Sequence, residues 1–256
     1  MRCYCMHDKS WEKIFTDLQM EKHDFNRMPY VITADQIKKA CQDFKATGEK
    51  EVRILCKQDT REDRPKVFQD NDLFILPIKN GTYSIVKGEG YVDIPTIESE
   101  PITHDSILDF SLDTSKIGNS EMQHLDFAYA SSIIRSFIPD RTLVLTIRGR
   151  KYTPKFDFYI GNHKLSVHSV QTEVDAGYEG KENVVLVEAK NSNVNNIIIR
   201  QLYYPFRQWQ SHTKKSVKSI FFDKQGKIYR LWQFEFKDIN NYSSIRLVKS
   251  ARFIME

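Results

Sequence analysis

The segment Val184-Val-Leu-Val-Glu188-Ala-Lys190 joins a buried-type run to an acid and a base two residues apart. A strand covered on both faces reads as continuous Val/Leu, and side chains two apart leave the same face. Glu188 and Lys190 therefore emerge together at a strand end, while Ala189 turns to the other face and leaves room for a helix. The plain alternative is a same-face ion pair, worth ~0–1 kcal/mol if exposed. Thirteen residues upstream, Gln171-Thr-Glu173-Val-Asp175-Ala-Gly177 places Gln171, Glu173 and Asp175 on one face and Val170, Thr172 and Val174 on the other. With a turn near residues 179–183, Asp175 and Glu188 meet across a hairpin. Two carboxylates that close repel unless a cation lies between them. Hard oxygen donors suit Mg²⁺, which keeps waters for a phosphate substrate, and Lys190 beside it can orient or deprotonate an attacking water.

These side chains need a scaffold of strands and helices. Helical spacing at Leu125–Phe137, stopped by Pro139, precedes strand candidates at Leu143–Arg148, Lys155–Ile160, Leu165–Glu173 and Val184–Lys190. A helix from about Asn195 and strands at Val217–Phe222 and Lys227–Phe236 follow, which together read as an α/β sheet with helices packed on it. Upstream, Trp11, Ile14, Phe15 and Leu18 form an amphipathic stripe. Thr33-Ala-Asp-Gln36 is a capping box ahead of Ile37, Ala40, Cys41 and Phe44. Leu73–Ile78 and Thr82–Lys87 flank Asn80-Gly81, a hairpin signal. Helices followed by a hairpin outline a smaller N-terminal α+β module, a pattern shared by winged-helix-like modules and small α+β caps. The expected organisation is 1–95 for that module, 96–120 for a Pro/Ser/Thr/Asp-rich connection and 121–256 for the main domain.

An Asp followed by Glu-x-Lys at a strand end resembles the active site of the PD-(D/E)XK nuclease superfamily. The stretches Glu173–Gly180, Val187–Asn191 and Arg200–Arg207 are similar to type II restriction endonucleases, and Glu51–Lys57, Arg64–Phe68 and Leu76–Tyr83 resemble the N-terminal regions of some of them. The resemblance implies a restriction-endonuclease-like mixed sheet flanked by helices and a sequence-specific cut in double-stranded DNA that leaves 5′-phosphate and 3′-hydroxyl ends. It implies Mg²⁺, with Mn²⁺ able to substitute, held by Asp175, Glu188 and the Ala189 carbonyl. Lys190 would activate the water and Gln201 would brace the site or touch the scissile phosphate. A homodimer and a paired DNA methyltransferase are the partners it implies. Val174 stands where the family pattern has Pro, so Glu173 and Asp157, in Pro154-Lys-Phe-Asp157, stay open as metal-binding acids. A repair or junction-processing nuclease of the same fold and a non-catalytic DNA-binding protein are the competing functions.

Charge supports a polyanion partner. Residues 196–256 hold 12 Lys+Arg against 4 Asp+Glu, and Arg141 to Lys164 holds six basic residues and one acid, so the positive charge sits in two stretches. The DNA-contact candidates are Arg148, Arg150 and Lys151 around Gly149, Arg200 and Arg207 on one helix face, and Lys214, Lys215 and Lys218 as phosphate anchors. Arg53, Lys57, Arg61 and Arg64 could belong to a target-reading module. Tyr203, Tyr204, Phe206 and Trp209 read as packing residues, and His163 and His168 as structural. Cys3, Cys5, Cys41 and Cys56 have no disulfide or zinc spacing. No apolar run approaches the roughly 18 residues of a membrane span, and Met1–Phe15 has no signal-peptide pattern, so the expectation is a cytoplasmic protein.

Overall fold

The computed structural model describes residues 7–191 and 193–255; Cys3 and Cys5 lie outside them. The chain opens with α1 (Asp8–Asp17), whose Trp11, Ile14 and Phe15 are buried against Phe68 as the stripe requires. Strand β1 (Tyr30–Thr33) runs into α2 (Ala34–Ala40) through the Thr33–Gln36 capping box, whose two side-chain oxygens accept from two of the N–H groups a helix start leaves unpaired. Short helices α3 (Thr47–Lys50), α4 (Val52–Leu55) and α5 (Lys66–Asp70) lead to the hairpin of β2 (Leu73–Lys79) and β3 (Thr82–Lys87). Gly81, at φ +71°, makes the turn that a residue with a Cβ resists. These three strands form an antiparallel sheet in the order β1-β3-β2.

The rest of the chain is a mixed α/β unit. Its elements are β4 (Tyr91–Asp93), β5 (Ile102–His104), α6 (Glu121–Ala130), α7 (Ile133–Phe137), β6 (Val144–Tyr152), β7 (Phe156–Ile160), β8 (His163–Val167), β9 (Gln171–Glu179) and β10 (Asn183–Lys190). They continue with β11 (Asn196–Ile198), α8 (Arg200–Gln210), β12 (Ser216–Gln225), β13 (Ile228–Phe236) and β14 (Ile245–Met255). A seven-stranded sheet runs β5-β14-β13-β12-β10-β9-β6. Strand β10 lies antiparallel to β9 and parallel to β12, with α8 in the crossover between the parallel pair. Helices α6 and α7 cover one face, packing Leu125, Ile134 and Phe137 on Val185, Val187 and Ala189. Helix α8 covers the other face, where Leu202 meets Phe221 and Trp232.

The small sheet and the large unit share a core. Phe74, Leu76 and Val86 pack with Phe158, Tyr204 and Tyr242, each contributing roughly 1.5–3 kcal/mol through burial. The Tyr204 hydroxyl donates to the Pro77 carbonyl at 3.0 Å. This ring-rich seam fixes the hairpin over the end of the large sheet where the candidate site lies.

Several boundaries differ from expectation. The single helix expected over 125–137 is two, broken at Ser132, whose φ of +72° ends the α-helical path. The run Leu165–Glu173 divides into β8 and β9 at Ser169, again left-handed at φ +58°. Asn196–Ile198, expected to be helical, is a strand paired to β4. The segment 96–120 is more than a connection, because β5 inside it joins the large sheet alongside β14. Among the described residues, no helix is long and apolar enough to cross a membrane.

Candidate active site

Strands β9 and β10 bring the two carboxylates together. Their register pairs Glu179 with Val184 and Ala176 with Val187, so the next step sets Asp175 beside Glu188. Strand β6 advances two residues, from Ile147 to Gly149, where β9 covers three, from Gly177 back to Val174. The extra residue is a bulge at Asp175–Ala176, a device that re-aims a side chain. The uniform alternation expected from Gln171 to Asp175 therefore does not run on through the strand. Past the bulge, Ala176 and Tyr178 pack on the α6–α7 side, while Val174 packs with Val184 and Leu186 on the other. The Asp175 Oδ2 accepts the Ala189 N–H at 2.8 Å, which ties the first acid to the middle of Glu-x-Lys.

Glu188 and Lys190 leave one face as expected. The Lys190 ammonium donates to Glu188 Oε1 at 2.5 Å, with the side chains 11% and 22% exposed for Glu188 and Lys190 respectively. Burial dominates the electrostatics here. It pushes the Glu188 carboxyl up to about 7 against the pull of Lys190, with the Asp175 charge adding to the rise. Burial also raises Asp175, outweighing the Ala189 N–H bond, and Glu121 and Glu173 push the same way. Burial pulls Lys190 down, yet Glu188, Asp59 and Asp175 more than offset it and hold the ammonium above its ordinary value. Two acids that resist ionisation side by side make a set of hard donors that a divalent cation would relieve. Among the described residues no three His, Cys, Asp or Glu side chains converge as a ligand cluster. A small hard ion that takes two carboxylates, the Ala189 carbonyl and waters fits this donor set, whereas a zinc cage does not.

The pair opens into a cleft of about 900 Å³ between the two sheets. Its floor carries Glu173, Asp175, Glu188, Lys190 and Gln201, and its far wall carries Arg53, Lys57 and the hairpin tip Lys79–Gly81. Gln201, in the first turn of α8, has a buried side-chain Oε1 with no partner among the described residues. It shares with Glu188 and Ser219 a void of about 10 Å³, room for about one water. Glu173 lines the cleft and pairs with Arg150 at 3.2 Å.

Two acids in this cleft escaped the sequence reading. Glu121, the first residue of α6, lines the cleft, and its Oε1 accepts the Asn191 N–H at 2.9 Å. Asp59 comes from the small module, and its charge reaches both Glu188 and Lys190. Neither sits in a motif. The one available signal for Glu121 was Ser120 ahead of it as a helix cap.

Other candidates stand elsewhere. Asp157 lies on β7, which pairs with β8 and bridges Asn241 through Tyr159, and Lys164 holds it at 2.8 Å; it does not line the cleft. Arg148 is ion-paired to Asp126. Arg207 stacks on Phe156 and donates to the carbonyls of Asp157 and Ile239, so its guanidinium is a structural clasp rather than a free contact. Lys215 pairs with Glu179 and donates to the Gly180 carbonyl at 2.8 Å. Both it and the exposed Lys214 precede β12, at the level of Asn183, seven residues from Lys190. That separation is roughly 23 Å at strand rise. Arg61 is held by Glu89 and Asp93, and Arg64 by the Leu73 carbonyl. Lys151 is exposed on the sheet's edge strand β6, while Arg150 and Arg200 do line the cleft.

Comparison with known proteins divides the chain within β3. A family model described as a domain of unknown function (DUF6997) matches residues 86–254. The chain belongs to the DUF6997 family. A second model, a domain of unknown function (DUF6996), matches residues 8–85. No curated protein and no solved structure matches the chain. The DUF6997 portion carries Glu121, Asp175, Glu188, Lys190 and Gln201, and the portion matching DUF6996 supplies the opposite wall of the cleft.

Proposed function

We propose that this DUF6997 protein is a Mg²⁺-dependent endonuclease with a restriction-endonuclease-like fold, which hydrolyses phosphodiester bonds in double-stranded DNA at a specific sequence. The observation that carries the reading is the convergence of Asp175 with Glu188-Ala-Lys190 at the end of a buried strand, inside a cleft walled by cations. A mixed sheet flanked by helices, with a Gln-bearing helix following the strand, is the setting the PD-(D/E)XK resemblance calls for.

In that reading Asp175, Glu188 and the Ala189 carbonyl hold the ion, which when bound supplies Lewis acidity and a more acidic water. Lys190 holds the attacking water in line with the phosphorus and offsets charge gathering on the phosphate. Water oxygen bonds to phosphorus, the bond to the 3′ oxygen breaks, and that oxygen takes a proton, giving 5′-phosphate and 3′-hydroxyl ends. Arg150 and Arg200 flank the cleft where backbone phosphates would run. The small module, with β1 after α1, the β2–β3 hairpin last and the sheet order β1-β3-β2, is compatible with a winged-helix-like reading. Its hairpin tip would touch DNA beside the cut. Cleavage of both strands by one site per chain suggests a homodimer, and a partner methyltransferase would protect the host sequence.

A second reading, a repair or junction-processing nuclease, gains from the engagement of Arg148 and Arg207 in internal bonds, which leaves fewer forks free to read bases. The test is incubation of the protein with unmethylated phage DNA, with and without Mg²⁺, beside Lys190→Ala, followed by sequencing of the ends. Metal-dependent fragments that share a short end sequence and vanish in the variant are expected. Cuts confined to branched or damaged DNA would move the conclusion to the second reading. Intact DNA with binding retained would leave a non-catalytic DNA-binding protein.

A further inference from the structure

Among the described residues Lys190 has one close acceptor, Glu188, which the nuclease reading also assigns to the metal. When a cation draws off that carboxylate, a largely buried ammonium is left without its partner, an expensive state. Asp59 faces the same space. It lines both large cavities together with Lys190 and Lys57. Its side chain is 19% exposed and pairs at 3.5 Å with Lys57, itself 70% exposed. An ion pair that open is weak enough to be shared.

The backbone around Asp59 is pinned to the ribbon between β10 and α8. Ile198 N–H donates to the Asp59 carbonyl at 2.8 Å. Arg61 N–H donates to Asn196 Oδ1 at 2.7 Å, and the Asn196 amide donates on to Glu62 at 2.9 Å. The Tyr91 hydroxyl donates to the Gln58 carbonyl at 3.2 Å. Four bonds from the DUF6997 portion and to it thus fix a loop of the small module against the site.

We propose that Asp59 is a positioning residue of this site, the second counter-charge of Lys190, which keeps the ammonium aimed into the cleft once a divalent cation occupies Glu188. The inference rests on the nuclease reading and extends it: the site is composite, and the small module takes part in the chemistry as well as in binding.

The experiment compares wild type, Asp59→Asn and Asp59→Glu in single-turnover cleavage with Mg²⁺, in DNA binding with Ca²⁺, and in the ¹⁵N-lysine ammonium signal of Lys190 with and without Mg²⁺. Asp59→Asn is expected to slow cleavage about 10–100-fold while DNA binding stays equal or tightens, since a negative charge has left the cleft. Asp59→Glu should recover part of the rate. With Mg²⁺ present the Lys190 signal should stay distinct in wild type and average toward free lysines in Asp59→Asn. Asn196→Ala, which loosens the same loop, controls for a purely structural effect by lowering stability and binding together. Wild-type cleavage by Asp59→Asn, an equal loss of binding and rate, or a Lys190 signal indifferent to Asp59 would overturn the inference. If wild type cuts no DNA, the nuclease reading fails, and the Lys190 signal in Mg²⁺ alone still decides for or against Asp59.

Discussion

The two ends of β10 are built on opposite electrostatic plans. At the amino end, around Asn183, the side chains of Asp140, Thr142, Asn183 and Lys215 have matched partners near solvent. Asp140 accepts from the Thr142 N–H at 2.9 Å, the Thr142 hydroxyl at 2.5 Å and the Asn183 amide at 3.0 Å, and these bonds lower its proton affinity. Lys215 spans Glu179 and the Gly180 carbonyl. At the carboxyl end, Asp175 and Glu188 are half-buried side by side with one N–H and one ammonium between them, and both are pushed up. The same strand pairing that satisfies one end leaves the other under electrostatic load. Stability favours the first arrangement, and a load confined to a cleft is what the proposed metal site requires.

Glu188→Gln breaks the contrast most sharply. Metal-dependent cleavage should fall by about 10³-fold or more, because a neutral amide is a poor Mg²⁺ ligand. The sign of the stability effect separates this end from the other. The Glu188 carboxyl titrates higher folded than unfolded, so the folded chain binds the extra proton and stability falls as pH rises from about 4.5 to about 7. Wild type should lose on the order of 3 kcal/mol across that window, and Glu188→Gln should flatten the slope. Mg²⁺ should return part of the loss above pH 7, where it meets an ionised carboxylate, and little at pH 5. Urea denaturation at pH 5, 6, 7 and 8, with and without Mg²⁺, measures both. A wild-type slope that survives in the variant would remove Glu188 as its source.

The amino end should respond in the reverse way. Asp140→Ala removes three acceptor contacts at the turn before β6, and the Asn183 amide loses its acceptor. A cost of about 1–3 kcal/mol is expected, with cleavage within about threefold of wild type at a temperature where both are folded. A large loss of cleavage at unchanged stability would mean that the loaded end is not the sole working one.

The same contrast explains what could be read in the sequence. Glu188 and Lys190 were legible because strand alternation is local, and the hairpin sum that sets Asp175 against Glu188 is a property of one turn. The α1 stripe, the Thr33 capping box and the Asn80-Gly81 hairpin were legible for the same reason. The bulge at Asp175–Ala176 was not, since it exists only against β6. Glu121 and Asp59 reach the cleft through long-range packing, and no short spacing announces that. Arg148 and Arg207 looked like DNA contacts because positive charge is visible in a sequence, whereas the Asp126 carboxylate and the carbonyls that engage them are not. β5 and β14 were missed because an edge region with mixed polar and apolar residues lacks a clean period of two.

Gln201 offers the smallest and finest test. Its Oε1 is buried without a partner beside Glu188, and the void next to it holds about one water. An orphaned acceptor costs stability, while an apolar replacement of similar shape can be neutral or favourable. Gln201→Met should therefore leave the unfolding free energy unchanged or raise it by up to ~1 kcal/mol. Under the proposed nuclease function, cleavage should fall about 10–100-fold, because the group that would brace Glu188 or the phosphate is lost. Gln201→Glu keeps the shape and adds another acid beside Asp175 and Glu188, so it should lower stability at pH 8 more than at pH 5. Parallel melts at the two pH values, paired with single-turnover rates, read both effects. If Gln201→Met lowered stability and left the rate alone, the unpartnered oxygen would be an ordinary packing contact, and the load at this end of the sheet would belong to the carboxylates and Lys190 alone.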